Sequence, residues 1–348
     1  MNILITGGAG FIGSAFLRYM AKNEPDAKLV NLDLLTYAGN LANLKEIEGH
    51  PGYTFVHGDI ADRELVNAVM KEHNIQQIVN FAAESHVDRS ITHPEAFIRS
   101  NIVGVEVLLD AAKQAWKLKP EDKYDTSYKP GVKFVQVSTD EVYGALGKTG
   151  LFTETTNLAP NSPYSASKAA ADMLVRAWNK TFGLPVNITR CSNNYGPYQF
   201  PEKLIPLMIN NCENDRDLPV YGDGMQIRDW LYVDDHCAAI NVVRKTGVDG
   251  EIYNIGGNNE KSNLYIVRLI IDRLGKSERL IKHVADRPGH DRRYAIDNQK
   301  ITSELGWRPA LTFEEGIERT IEWYRRNSEW MEEVISGTYR DYYQTMYG

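Results

Sequence analysis

Short, almost uninterrupted apolar runs alternate along this chain with longer helix-like stretches. The runs Asn2–Thr6, Lys28–Asp33, Tyr53–Asp59, Gln77–Ala83, Lys133–Thr139, Val186–Cys191 and Glu251–Gly256 predict strands buried on both faces. Helices are predicted between them over about Gly10–Asn23, Asp62–Glu72, Asn101–Trp116, Ser162–Thr181 and Asp234–Lys245. That alternation is the pattern of an α/β protein, a parallel sheet with helices on both sides. The polar stretch Lys117–Pro130 holds two prolines and reads as a solvated surface excursion. From Asn193 to Arg228 the chain is rich in Pro, Gly, Asn and Tyr, which predicts a loop-dominated region. It then returns to a helix and a strand over Asp234–Gly257. It departs again over Ser262–Leu311, with a helix at about Leu264–Leu274 and a short strand at Arg293–Asp297. The expected division is therefore discontinuous. Residues 1–192, about 229–258 and about 312–327 form the larger domain; about 193–228 and about 259–311 form a smaller α/β substrate domain.

Composition narrows the function. At 348 residues the chain has room for one large or two closely joined domains, and 43% hydrophobic with 24% charged residues is an ordinary globular balance. No apolar run approaches the roughly 18 residues of a membrane helix. The first residues enter a strand directly, without the basic, apolar and small-residue sequence of an export signal. A formal charge of −7 argues against general nucleic-acid binding, although a few converging arginines would still hold an anionic small molecule. Cys191, Cys212 and Cys237 fit neither a disulfide framework nor a zinc knuckle, so a reducing cytoplasm is the expected location.

The first strand runs into Gly7-Gly-Ala-Gly10-Phe-Ile-Gly13 immediately before a helix, and the second strand ends in Asp33. Glycines there let the backbone turn tightly and approach a pyrophosphate, which sits against the unpaired amides and positive dipole end of the helix. Asp33 accepts hydrogen bonds from both ribose hydroxyls and repels a 2′-phosphate, so the expected cofactor is NAD rather than NADP. The larger domain is then a Rossmann-type doubly wound sheet. The G-x-x-G-x-x-G spacing is typical of the short-chain dehydrogenase/reductase superfamily, which the first half resembles. In that resemblance Asp59-Ile60 contacts the adenine edge, and Phe81-Ala82-Ala83 approaches the pyrophosphate and ribose.

Tyr164-Ser-Ala-Ser-Lys168 sets a phenol and an ammonium on one face of a helix. A phenol with its ordinary pKa near 10 is a poor base at pH 7; the lysine cation and the positive nicotinamide are expected to stabilise the phenolate. Ser138 or Thr139 would polarise the same sugar oxygen. Next come two adjacent carboxylates, Asp140 and Glu141. Neighbouring acids in one cleft differ in pKa, which supplies a general acid and a general base together. Alcohol oxidation needs only Tyr164 and Lys168, so the extra pair implies an extra proton-transfer step. Elimination supplies it. Oxidation at sugar carbon 4 acidifies carbon 5; Glu141 removes that proton, Asp140 protonates the hydroxyl leaving carbon 6, and hydride returns at carbon 6.

With Thr139-Asp-Glu141, Tyr164 and Lys168 in place, the chain resembles the dTDP-glucose 4,6-dehydratases of the extended short-chain dehydrogenase/reductase branch. The likeness extends over Ala83–Ser90, Cys191–Tyr198, Arg228-Asp-Trp230 and Asp286–Arg293. It implies a lyase acting on dTDP-glucose and selects Thr139 of the two hydroxyls. It adds Leu34, Leu35, Thr36, Ser85, Ser100 and Asn194 to the cofactor's surroundings. Ser85, Thr139 and Asn193 are placed at the sugar. Lys203, Leu204, Pro219, Val220, Tyr221, Arg228, Asn263, Asp286, Arg287, Pro288, Gly289 and His290 fall on the nucleotide side. Arg228 and Arg287 carry the guanidinium forks that match diphosphate oxygens. His290, Asp286 and Asp291 lack a second histidine at ligand spacing, so no metal is expected. The helices Asn101–Trp116 and Ser162–Thr181 correspond to a homodimer interface in relatives, and deoxysugar synthesis such as that of rhamnose is a family-level expectation. The tail aromatics Trp330, Tyr339, Tyr342 and Tyr343 read as packing. UDP-sugar epimerases, UDP-glucuronate decarboxylases and non-catalytic NAD-binding proteins share parts of this pattern. The epimerases lack the acid pair, the decarboxylases usually lack the aspartate at position 140, and the non-catalytic proteins usually lose the Tyr/Lys pair.

Overall fold

The structure, a computed structural model, describes residues 1–286 and 289–335. The strands, in chain order, are β1 (Asn2–Thr6), β2 (Lys28–Asp33), β3 (Tyr53–His57), β4 (Gln77–Asn80), β5 (Lys133–Thr139), β6 (Val186–Cys191), β7 (Asn193–Tyr195), β8 (Leu218–Tyr221), β9 (Ile227–Tyr232), β10 (Ile252–Ile255), β11 (Glu260–Ser262) and β12 (Ile281–Val284). The α-helices are α1 (Phe11–Asn23), α2 (Arg63–Glu72), α3 (Val87–Thr92), α4 (Pro94–Ile98), α5 (Gly104–Trp116), α6 (Pro163–Phe182), α7 (Leu204–Glu213), α8 (Val233–Thr246), α9 (Asn263–Arg273), α10 (Gln299–Leu305), α11 (Phe313–Arg326) and α12 (Ser328–Val334).

Seven parallel strands form the main sheet in the order β10-β6-β5-β4-β1-β2-β3. β4, β5 and β6 are buried at every position, and polar side chains sit among their apolar ones, with Asn80 Nδ2 donating to Gln136 Oε1 at 2.8 Å. One face packs under α1, α8 and α10 through residues such as Phe16, Ile240 and Ile301. The other packs under α2, α5 and α6 through Val66, Leu108 and Val175. Helix α6 has sharp ends. Ser162 and Ser165 form a reciprocal capping box, Pro163 opens the first turn, and Gly183 stops the helix at φ 71°.

β3 and β4 end two to three residues sooner than the apolar runs suggest. Asp59 bends the chain by accepting from the Ala61 amide at 2.8 Å, so Asp59-Ile60 and Phe81-Ala82-Ala83 lie in the loops beyond the strands. The helix expected from Asn101 begins instead with a π turn over Arg99–Val103 and becomes α-helical at Gly104. The Asn193–Arg228 region is far from loop-dominated, because it holds β7, α7 and β8. Its proline and asparagines disguise a buried helix: Pro206 occupies the first turn of α7, where an amide has no intrahelical partner, and eight α7 residues are buried. No strand forms over Arg293–Asp297. Tyr294, Ala295 and Ile296 are buried in succession. Their backbone bonds are divided between Ile227 on one side and Phe152 on the other, leaving two isolated bridges.

A second core gathers β7–β9, α7, α9, α11 and α12 around Tyr195, Met208, Trp230 and Ile270. A three-stranded sheet ordered β11-β9-β7 and the parallel pair β12-β8 support it. Phe313, Ile317 and Ile321 of α11 pack here rather than against the seven-stranded sheet, to which about 312–327 had been assigned. The apolar stripe of α11 is the physical reason, because its partners are Tyr195 and the other aromatics of this core.

Between β6 and α6 lies a buried ion pair, Arg190 Nε to Asp172 Oδ2 at 2.8 Å, almost wholly enclosed. Asp172→Ala leaves the guanidinium without its partner, and unfolding free energy should fall by about 3–5 kcal/mol. A urea titration reads this directly, and a loss under about 1 kcal/mol would mean the pair is dispensable.

Candidate active site

A cavity of about 310 Å³ opens at the C-terminal ends of β1, β2, β4, β5 and β6. The strand order reverses at this point, with β2 on one side of β1 and β4 on the other. Of the residues expected at the cofactor, Gly7, Gly10, Phe11, Ile12, Gly13, Asp33, Leu34, Thr36, Asp59, Ile60, Phe81, Ala82, Ala83, Ser85, Ser100, Tyr164, Lys168 and Asn194 line it. Leu35 does not; it adopts φ 53° and donates its amide to Asp33 Oδ1 at 2.8 Å.

The walls fit a dinucleotide. Gly7 has φ +68°, and a Cβ there would stand 2.6 Å from the Ala82 amide nitrogen. A Cβ on Gly13 would stand 2.2 Å from the Gly7 carbonyl oxygen, so the start of α1 lies directly on the turn. No side chain caps α1 at Gly10, which leaves its first amides for an anion. Asp33 accepts from the Ala9 amide at 2.8 Å as well as from Leu35. Burial pushes its carboxyl up, and these two hydrogen bonds pull the other way.

At the end of β5, Thr139 caps a 3-10 turn, its hydroxyl accepting from the Glu141 amide at 3.2 Å. Thr139, Asp140, Glu141, Tyr164 and Lys168 all line the cavity. Asp140 is 2% exposed, and Oδ2 lacks a hydrogen-bond partner among the described residues. Burial holds its carboxyl well above the usual range, with the charges of Glu141 and Asp229 pushing the same way. Lys168 Nζ donates to the Val137 carbonyl at 2.8 Å, and burial lowers its pKa while Asp172 opposes that shift. The expected lowering of the Tyr164 phenol does not appear in the protein by itself. Burial dominates and raises it well above 10.0, and Glu141 and Cys191 add to the rise.

Ser85, Asn193 and Lys203 reach the same cavity, where Lys203 Nζ donates to the Ser85 carbonyl at 3.2 Å. The other residues expected at the nucleotide gather beyond it. Pro219, Val220 and Tyr221 form β8, Leu204 opens α7 and Asn263 opens α9. Arg228 Nη2 donates to the Asp291 carbonyl at 2.9 Å, with its guanidinium over the Tyr294 ring. His290 Nδ1 pairs with Asp286 Oδ1 at 2.5 Å, and the His290 ring stands edge-on to Tyr221. Arg287 and Pro288 lie outside the described residues, as do Tyr339, Tyr342 and Tyr343.

Four contributors escaped the sequence. Glu84 and Glu202 line the cavity. Asn101, in the π turn, donates to the Glu84 carbonyl at 3.0 Å and to Ser167 Oγ at 2.8 Å. His236 Nδ1 stands 2.9 Å from Asn194 Oδ1, and burial lowers the imidazole to about 3, so it is neutral. Each acts through a partner distant in sequence; only the helix expected from Asn101 onward marked an element there.

The profile of the GDP-mannose 4,6 dehydratase family matches residues 4–320. The dTDP-glucose 4,6-dehydratase of Xanthomonas campestris pv. campestris strain B100 is 54% identical over 346 residues, 97% of each chain. Among solved structures, the Bacillus anthracis dTDP-glucose 4,6-dehydratase in complex with NAD is 53% identical, with TM-score 0.86 over 96% of this chain and 99% of that one. DesIV of Streptomyces venezuelae, a dTDP-glucose 4,6-dehydratase also solved with NAD, is 46% identical, with TM-score 0.89 over 96% and 100%. A likeness this extensive in sequence and in fold, with the glycine turn, the acid pair and the Tyr/Lys pair on one cavity, has one meaning: the chain belongs to the dTDP-glucose 4,6-dehydratase family.

Proposed function

We propose that this chain converts dTDP-glucose to dTDP-4-keto-6-deoxyglucose, and the observation that carries the proposal is Asp140. A carboxyl whose burial favours its protonated form, beside a second acid and on one cavity with a Tyr/Lys pair, is equipped for elimination as well as oxidation. NAD, held by the glycine turn and Asp33, supplies the hydride acceptor and donor and brings the positive charge beside Tyr164 that burial withholds. Thr139 and Tyr164 hold the carbon-4 hydroxyl, and Tyr164 takes its proton. Lys168, anchored on Val137, keeps its ammonium beside that phenol and the cofactor's ribose. Glu141 removes the proton from carbon 5. Asp140 gives its own proton to the hydroxyl departing carbon 6. Asn193 and Ser85 orient the sugar, Lys203 and the Asp286–His290 segment face the nucleotide, and the guanidinium forks of Arg228 and Arg287 match its diphosphate.

We also read the protein as a cytoplasmic homodimer that acts in deoxysugar synthesis. The three cysteines are buried free thiols, which suits a reducing compartment. Ile91 and Ile98, Val103 of the π turn and Met173 of α6 are exposed apolar side chains on elements packed against one another. A second copy would cover them. Sedimentation at micromolar concentration should give twice the chain mass; monomer alone would refute the dimer.

The chemical proposal is tested by incubating the protein with dTDP-glucose and NAD and following the 4-keto-6-deoxy sugar by mass spectrometry. Changing Asp140→Asn together with Glu141→Gln should cut product formation by about 10²-fold or more, while isotope exchange at carbon 4 continues. Tyr164→Phe should suppress both. Product release near the native rate from the double variant would mean water leaves by another route.

Asp140 also makes stability depend on pH. Unfolded, it ionises near 3.8, whereas the folded protein keeps its proton to higher pH. Between those two points the folded state binds more protons, so stability is lost as pH rises through the window. Asp140→Asn is spared that loss. Relative to the native protein it should gain stability as pH climbs above 3.8, read from urea midpoints across pH. A constant offset at every pH would contradict the buried, protonated carboxyl.

A further inference from the structure

The loop that follows Asp33 is shaped locally by two hydrogen bonds, from the Leu35 amide to Asp33 Oδ1 at 2.8 Å and from the Gly39 amide to the Thr36 carbonyl at 2.9 Å. Leu35 stands at φ 53°, a left-handed conformation unfavourable for a branched side chain, and Leu34 is exposed. Its neighbours Thr36, Ala38 and Gly39 nevertheless form one wall of the cavity. What ties this wall to the opposite one lies across the cavity, in the segment after β7. The Tyr37 hydroxyl donates to Glu202 Oε1 at 3.0 Å, joining residues 165 positions apart. Tyr37 also meets Phe200 edge-on at 5.5 Å between ring centres, and the guanidinium of Arg89 lies 3.7 Å over the Tyr37 ring. Arg89 Nε reaches Glu202 Oε2 at 3.4 Å, and the Glu202 side chain is only 2% exposed.

We infer that Tyr37, Arg89 and Glu202 form a clasp that joins the two walls of the cavity and retains the dinucleotide between turnovers. A carboxylate enclosed to this degree is costly unless its oxygens are bonded, and here one is bonded to a phenol and the other to a guanidinium. Opening the clasp breaks both bonds at once. The following residue, Lys203, carries the contact to Ser85, so the same segment that faces the sugar also closes the ribose-side loop. The arrangement suits a reaction in which the hydride removed from the substrate is returned to it, because the cofactor has no need to leave. The residues act by position: none of the three is required to move a proton.

The inference rests on the cavity being the dinucleotide site, and the experiment separates the two. Full-length protein is loaded with NAD, freed of excess by desalting and diluted, and retained NAD is measured over time. Tyr37→Phe and Glu202→Gln should each release NAD about 10-fold faster or more, the effect of losing one buried charge-assisted hydrogen bond. The double variant should release it no faster than the worse single variant, since both changes open one clasp. Asp33→Ala provides the reference. Fast release from Asp33→Ala with native release from both clasp variants overturns the clasp and leaves the site intact. Native release from Asp33→Ala overturns the site itself. The melting temperature of the NAD-free protein should fall modestly in Tyr37→Phe, because a buried carboxylate oxygen loses its partner, and fall further when NAD is present; a fall as large without NAD as with it would reduce the trio to a structural contact and overturn the inference. Tyr37→Phe carries the test alone if Glu202→Gln does not fold.

Discussion

The close approach of the first glycine turn to the fourth strand is the constraint on which the rest of the site depends. Gly7 lies where a single methyl group would collide with the Ala82 backbone, and Gly13 brings α1 down onto Gly7 with no space to spare. Parallel strands end with their carbonyl and amide groups facing one edge, and at β1 the connections diverge to opposite sides of the sheet. A crevice results at that edge, deep because the turn is flat. Everything chemical is delivered to it by strand ends: Asp33 from β2, Ala82 beyond β4, Thr139 through Glu141 from β5, and Asn193 beyond β6. A bulkier turn would fill the crevice from beneath.

Burial then sets the chemistry. Asp140, Tyr164 and Lys168 are all at most 9% exposed, and in each the largest influence on proton affinity is loss of water. Burial shifts all three toward their neutral forms, and for Lys168 the charge of Asp172 opposes that shift. For Asp140 this suits the proposed general acid. For Tyr164 it opposes the proposed base, which would then depend on positive charge arriving with the cofactor. The same low polarity that makes these groups costly makes each introduced charge more effective. The Asp172–Arg190 pair behind Lys168 supplies a fixed pair of charges that water cannot screen.

Much of this was legible in the sequence because it is local. β1, β2, β5 and β6 were readable to the residue, since each is a short run rich in Val, Ile, Leu or Thr with few charged residues. The glycine turn, Asp33, Asp140-Glu141 and Tyr164/Lys168 each sit within a few residues of the element that positions them. α7 was hidden because a helix buried all round has no amphipathic period, and its proline sits where proline is tolerated. The segment Arg293–Asp297 carried a strand-like apolar run between charged residues, without a strand's partners. Glu202 and His236 were invisible for another reason. Their meaning lies in Tyr37 and Asn194, tens to hundreds of residues distant, and no spacing rule reaches that far.

The two cores are also joined at their far side, which explains how an outer unit assembled from separate pieces holds its place over the sheet. Trp330 of α12 donates its indole N–H to Asn43 Oδ1 at 2.9 Å. The Asn43 amide donates in turn to the Ala9 carbonyl at 2.9 Å, inside the glycine turn, and its own carbonyl accepts from Arg18 of α1. Tyr198 stacks among Trp323 and Trp330 and carries Arg18 over its ring. Residues from α1, the turn after Asn40, the segment after β7 and the last two helices thus share one aromatic cluster. A rotation of the outer unit would strip hydrogen bonds from the same asparagine that fixes the turn beneath the cofactor. The shape of the dinucleotide site and the placing of the sugar-binding residues are therefore one packing problem, solved by a shared set of buried side chains.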